Sequence, residues 1–284
     1  MSEEDLREAS RAQWSNVAGG WALAADRREG GPSGAAADWM LRAADLKPGG
    51  RVLELACGAG DVGLRAAEAV GSTGRVLCSD FAEPMVEVVR TRADALRMGH
   101  LEARVLDAED LLLDGELFDA VLCRFGYMLM TDPAKALRSS GAALDRGGRL
   151  ALSVWGPAER NPWLSLITDA VMKSLGAPPP APGVPGPFAL ADHDRLGSLV
   201  EGAGVEDVVV EDLETERRHE SLDDWWADTR EVSGPIGALL GQLAEEQVTA
   251  IHDEALARAR EHVRSDGAVC FPACVAVASA RRGV

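Results

Sequence analysis

The stretch Arg51-Val52-Leu53-Glu54-Leu55-Ala56-Cys57-Gly58-Ala59-Gly60-Asp61 constrains this chain more than any other. A short apolar run carries one acid inside it, a glycine-rich turn follows, and a helical pattern begins at once. That order describes a buried strand feeding a tight turn that opens a helix. A parallel α/β protein presents backbone N–H groups to a ligand in this way.

The pattern around it repeats the alternation. Strand 51–55 leads to helix 60–70, strand 75–80 to helix 83–97, and strand 103–107 to a loop. Strand 118–124 precedes helix 132–144, and Asp145-Arg146-Gly147-Gly148 turns the chain into strand 149–155. Strands alternating with helices imply βαβ units and right-handed crossovers. Upstream, residues 3–13 read as helix, and Trp14 and Trp21 mark an apolar segment ending at the breaker cluster Gly30-Gly31-Pro32. Ser33 is a candidate cap for a helix reaching about Leu41 to Ala44, before the turn Pro48-Gly49-Gly50. Downstream, residues 176–187 are too rich in proline for a helix or sheet interior and form a stiff connector. Helix 191–203, a strand at 205–213, a helical stretch at 221–264 and a final strand at 268–280 complete the chain.

Charge narrows the partners. The net charge is −17 and there are only three lysines, Lys47, Lys135 and Lys173, so phosphate-tracking recognition of nucleic acid is not expected. No apolar run reaches the roughly 18 residues of a membrane span, and the acidic start MSEEDLREAS does not read as a secretory signal. No membrane partner and a cytoplasmic location are expected. The five cysteines, Cys57, Cys78, Cys123, Cys270 and Cys274, form no C-x-x-C pair; they read as reduced, buried thiols, and no metal site is expected.

Gly58, Gly60 and Gly63 satisfy G-x-G-x-x-G, a weak pattern by itself. Asp80, about twenty residues on, suits a ribose hydroxyl pair in a dinucleotide site as well. Two features point elsewhere. Glu54 lies inside the first strand, where a buried carboxylate needs a compensating group such as a ligand ammonium. Asp107 closes the third strand, where an acid can accept from an adenine amino group.

With these acids, V-L-E-L-A-C-G-A-G resembles the acidic-x-Gly-x-Gly-x-Gly motif of class I S-adenosylmethionine-dependent methyltransferases, except that Ala56 replaces the first glycine. The reading here is that this position requires smallness more than positive φ. V-L-C-S-D80, L-D107-A-E-D, F-D-A-V-L-C-R-F-G-Y-M-L-M-T-D-P and L-D-R-G-G-R-L-A-L-S-V-W-G are similar to the later motifs, toward the bacterial quinone and natural-product type. The resemblance implies a Rossmann-like, doubly wound α/β fold: a mostly parallel seven-stranded sheet with an antiparallel last strand, plus helical cap insertions. It divides the chain into an N-terminal helical segment covering the site (1–50), the cofactor-binding core (51–156), a Pro-rich lid loop (157–190) and a C-terminal part of the core (191–284) with a cap insert at about 221–264.

The cofactor so implied is S-adenosyl-L-methionine, with S-adenosyl-L-homocysteine as product. Its expected ligands are Glu54, Ala56, Gly58, Gly60, Asp80, Phe81, Met85, Asp107, Ala108, Glu109 and Arg124. Glu54 holds the methionine ammonium, Gly58 and Gly60 admit the backbone, Asp80 binds ribose, and Asp107 with Ala108 addresses adenine. Methyl transfer from a sulfonium is an in-line displacement that leaves a neutral thioether, so alignment and exclusion of water carry much of the rate. Arg124 and Tyr127, at the end of the fourth strand, are candidates for orienting a substrate; a structural ion pair and core packing are their alternatives. Trp14, Trp21, Trp155, Trp163, Trp225 and Trp226 fall where they cover the strand ends, which fits a small but fairly bulky hydrophobic or aromatic acceptor. His219 and His193 are available imidazoles without an assigned role, whereas His100, His252 and His262 read as solvent-exposed. A cyclase or other non-methylating enzyme, or a non-catalytic binding protein, is compatible with the same loop. The protein is expected to be a monomer or homodimer.

Overall fold

The computed structural model describes residues 3–23, 30–178, 183–232 and 235–284. Its centre is a seven-stranded sheet in the order β3-β2-β1-β4-β5-β7-β6. The strands are β1 (Arg51–Leu55), β2 (Arg75–Asp80), β3 (Leu101–Val105), β4 (Phe118–Arg124), β5 (Leu144–Trp155), β6 (Glu206–His219) and β7 (Val269–Arg281). β3-β2-β1-β4-β5 run parallel, and β7 is antiparallel to both of its neighbours. The strand order reverses beside β1, so a crevice opens beyond the carboxyl ends of β1 and β4.

Helices cover both faces because the central strands are apolar on both. α2 (Gly31–Ala43), α3 (Asp61–Val70) and α4 (Glu83–Ala95) pack Ala37, Met40, Val62, Ala66, Val86 and Val89 against one face. α5 (Pro133–Ala143), α6 (Pro162–Leu175) and α7 (His193–Glu201) pack Leu137, Ile167 and Leu196 into the core on the other. The remaining helices are α1 (Glu3–Leu23), α8 (Leu222–Val232), α9 (Pro235–Leu240) and α10 (Glu245–Ala259).

Several boundaries differ from expectation for definite reasons. α1 continues to Leu23, carrying Trp14 and Trp21 on the same helix. Gly31-Pro32 does not break a helix but opens α2, with Gly30 at the cap and proline in the first turn, where its missing N–H costs nothing. Ser33 therefore lies inside the first turn, buried, and is not the cap. The turn at 145–148 is an insertion within β5, flanked by the pairs Phe118–Leu144 and Ala120–Arg149. α6 occupies much of the span 157–190 expected as a loop, and part of the Pro-rich segment, 179–182, lies outside the described residues. The helical stretch at 221–264 is three helices and a short 3-10 turn, not one rod. β6 also outruns its expected end: residues 214–219 pair with 269–274, while the β5–β7 pairing stops at Trp155–Val275. A two-stranded ribbon thus projects past the end of β5 and leads into α8–α10. α1 packs on α4 and meets α8 and α9.

Candidate cofactor and acceptor site

The glycine turn has the tightness its composition implies. Gly60 has φ 80°, and a Cβ there would lie 2.9 Å from Val89 Cγ2. Gly58 has φ 54°, and a Cβ would lie 2.8 Å from the Trp21 indole nitrogen of α1. Ala56 also has positive φ, 49°. The position therefore demands the left-handed conformation as well as smallness, and alanine holds it under strain.

Glu54 is buried at the end of β1. Its Oε2 accepts from the Gly63 N–H at 2.8 Å and from the Cys78 thiol at 3.4 Å. Burial pushes its pKa up to about 8, against the opposing pull of the Arg124 charge and the Cys78 hydrogen bond. Asp80, ending β2, accepts from Gly58 N–H and Ala82 N–H, both at 3.0 Å, and burial raises it to about 6 despite those bonds. These two carboxyls, one held near neutrality and one titrating just below it, suit a ligand that brings an ammonium and hydroxyl groups.

Asp107 lies two residues beyond β3 and caps a 3-10 turn at Ala108–Asp110 by accepting from Glu109 N–H at 2.9 Å. Its other oxygen is gripped by Arg7 of α1, with Arg11 at 3.7 Å. Phe81 and Met85, expected beside the cofactor, pack with Trp14, Val17, Ala18 and Trp21. One helix thus covers the glycine turn, the end of β2 and Asp107 together. Glu109 faces elsewhere: its carboxylate accepts from Thr131 N–H, Thr131 hydroxyl and Asp132 N–H. It secures the turn before α5, and the geometry gives it no cofactor role.

Arg124 and Tyr127 take the structural alternatives. Tyr127 is fully buried, its hydroxyl 2.7 Å from Ser140 Oγ, so it has no surface with which to orient a substrate. Arg124 pairs with Asp61 at 2.8 Å, and Asp61 also holds Arg92 at 2.7 Å. Asp61 was not anticipated; its place directly after Gly60 at the first turn of α3 was the available signal.

Two of the expected tryptophans, Trp155 and Trp163, form an aromatic wall together with Phe125. Phe125, with φ 58°, stacks on Trp155 with ring centres 4.1 Å apart, and Trp155 meets Trp163 edge-on at 5.0 Å. Arg217 lies over Trp163 at 4.4 Å and pairs with Asp228. Trp225 is buried and donates to Trp163 O, so it supports this wall from behind. His219 is buried between Arg217 and Asp224, and burial lowers its pKa. His100, His252 and His262 are half-buried, not exposed.

Away from the crevice, a cavity of about 560 Å³ lies between residues 157–160 and 188–193. Among the described residues, Asp212, Glu214 and Cys274 could converge on a metal ion, but the Arg160 guanidinium is bonded to both carboxylates. All five cysteines are buried free thiols.

Residues 52–148 match the family model described as a methyltransferase domain. The chain is 31% identical over 172 residues to the ubiquinone/menaquinone biosynthesis C-methyltransferase UbiE of Ectopseudomonas mendocina, covering 58% of this chain and 67% of that protein. It is 32% identical over 110 residues to the demethylmenaquinone methyltransferase of Bacillus cereus, covering 39% of this chain and 46% of that one. The aligned part thus spans between about half and two thirds of these relatives. In fold, it is similar to phosphoethanolamine N-methyltransferase 2 of Haemonchus contortus, solved with S-adenosyl-L-methionine (TM-score 0.59, 16% identity, 93% of this chain and 57% of that one). It is also similar to the [4+2]-cyclase SpnF (TM-score 0.55, 18% identity, 89% and 81%).

Proposed function

The chain belongs to the class I S-adenosylmethionine-dependent methyltransferase family, and on that footing we propose that it transfers a methyl group from S-adenosyl-L-methionine to O, N or C of a small hydrophobic or aromatic metabolite. The observation that carries this reading is the set of carboxyls Glu54, Asp80 and Asp107 around one glycine turn, at the switch point of the sheet. The cofactor, when bound, supplies an activated methyl on a sulfonium. Everything else falls to the chain.

Glu54 takes the ammonium of the methionine tail, exchanging a desolvated neutral carboxyl for a paired, ionised one. Asp80, already held by the Gly58 N–H, would accept from the ribose hydroxyls, and the glycine turn would leave room for the tail. Asp107 and Ala108 address adenine once Arg7 and Arg11 yield, so loading requires α1 to shift. The Phe125–Trp155–Trp163 wall offers a flat apolar face at the ends of β4 and β5 for an aromatic acceptor. With one relative named as a ubiquinone/menaquinone biosynthesis C-methyltransferase and another as a demethylmenaquinone methyltransferase, quinols and phenols are the first acceptors to test. α1, which covers the glycine turn and Asp107 and is backed by α8 and α9, would keep water from the transfer.

The test is incubation of the whole chain with S-adenosylmethionine and a panel of quinols, phenols and aromatic amines, reading S-adenosylhomocysteine by mass spectrometry. Acceptor-dependent product is expected. Tight cofactor binding with no product from any acceptor would favour a non-methylating enzyme or a binding protein on the same scaffold. Binding of NAD in place of S-adenosylmethionine would overturn the reading.

A further inference from the structure

We propose that Arg217 and Thr215 on β6 bind a carboxylate carried by the acceptor, so that the methyl is received by an aromatic acid and not by an uncharged ring. The inference rests on the methyltransferase reading above and narrows its acceptor class. Arg217 stands on the two-stranded ribbon that projects past β5, where it pairs in register with Phe271, and Thr215 pairs with Ala273. Residues two apart in a strand share a face, so both side chains point to one side of the ribbon. That side faces the aromatic wall: the Arg217 guanidinium lies over the Trp163 ring at 4.4 Å, and Trp163 meets Trp155, on which Phe125 is stacked. The wall thus runs from the end of β4, where the crevice opens, to a fixed cation at its far end. The first turn of α2 joins the same two places. A Cβ on Gly31 would lie 3.6 Å from Glu216 O, and Ser33 O accepts from Arg124.

Arg217 is held in place with a donor to spare. Its Nη2 donates to Asp228 on α8 and its Nε to His219 Nε2 at 3.3 Å. Burial lowers the His219 pKa, which keeps that ring nitrogen free to accept. Among the described residues, Arg217 Nη1 makes no hydrogen bond. The independent sign of a ligand is Thr215, whose hydroxyl is buried and has no partner among the described residues. A buried hydroxyl left unsatisfied is costly unless a ligand meets it. The two donors spring from strand positions roughly 7 Å apart, a spacing that two acceptor oxygens bridge better than one. A carboxylate supplies two, and it carries the charge that a guanidinium binds most strongly. Its ring would then lie along Trp163 and Trp155, with the reacting atom toward Phe125.

Calorimetric titration of the protein loaded with S-adenosylhomocysteine tests this without reading turnover. The probes are 3,4-dihydroxybenzoate and its methyl ester, which share a ring and differ in charge. The unmodified protein is expected to bind the acid about tenfold more tightly than the ester, the scale of one charge-assisted hydrogen bond. Arg217→Lys keeps a cation against Asp228, so the ribbon and α8 stay paired, but it lacks the planar fork and should abolish most of the preference. Thr215→Val removes only a hydroxyl that bonds to nothing in the protein, and should cut the preference by about threefold with the thermal midpoint unchanged. Side chains that serve only to pack the ribbon would alter stability and affect both probes alike. Equal affinity of the unmodified protein for acid and ester, binding of neither, or a preference that survives in both variants overturns the inference; S-adenosylhomocysteine binding then leaves the cofactor reading standing. Failure of the unmodified protein to bind S-adenosylhomocysteine overturns both.

Discussion

The two ends of the crevice compensate their acids in opposite ways. At the β1 and β2 end, Glu54 and Asp80 are buried and met by backbone N–H groups and a thiol, with no guanidinium in contact among the described residues. Their carboxyls are consequently driven toward the protonated form. At the β3 end, Asp107 is partly exposed and already ion-paired with α1. The first arrangement is preorganised and pH-sensitive; the second is exchangeable, since long surface arginines can leave. Fixed dipoles hold the first pair of acids, and a partly exposed ion pair covers the third.

The largest expected effect lies at the preorganised end. Asp80→Ala should weaken S-adenosylhomocysteine binding by about 100-fold, measured by calorimetry, because two hydrogen bonds to a charged acceptor are lost. An affinity unchanged in this variant would erase the contrast between the two ends.

Next comes pH. Glu54 must ionise to pair with an ammonium, so affinity should rise by up to about tenfold per unit as pH increases toward 8, and Glu54→Gln should flatten the dependence. Stability runs the other way in the ligand-free protein. The folded pKa of about 8 exceeds the ordinary value of 4.5, so Glu54's contribution is fully present below the latter and lost as pH rises through the former. Thermal midpoints from pH 5 to 8.5 with and without ligand would display both slopes.

Ala56→Gly should stabilise the chain by about 1 kcal/mol, read by denaturant unfolding, because it relieves a left-handed alanine. The smallest effect belongs to the exchangeable end. Replacing Arg7 and Arg11 by alanine should tighten ligand binding by less than about fivefold and reduce its dependence on salt, as expected of a partly exposed ion pair. A weakening there would mean that α1 assists binding and does not compete with it.

What was legible followed from short-range rules. The 51–61 motif states its own strand, turn and helix, and the apolar alternation from 75 to 155 placed the core strands and helices to within a few residues. Asp80 ends its strand as read, but β3 stops at Val105, leaving Asp107 to cap the next turn. The misreadings share a different cause. Tyr127 is decided by Ser140 on the neighbouring helix, Glu109 by the turn at 131–132, and Arg124's place in acceptor orientation by Asp61, sixty-three positions earlier. Phe125 went unnoticed because an aromatic residue after a strand is ordinary until Trp155 is found stacked on it.

The sequence by itself determined the parallel α/β core, the glycine turn and the identity of its acids, because strand period, glycine conformation and helix initiation are local properties of the chain. Tertiary structure alone decided which of those acids are buried without a cation, which is covered by α1, and which polar residues are committed to structural bonds. Burial and charge pairing depend on elements up to a hundred residues apart, as Arg7 and Asp107 are, and the sheet order that brings them together is not encoded in any one segment.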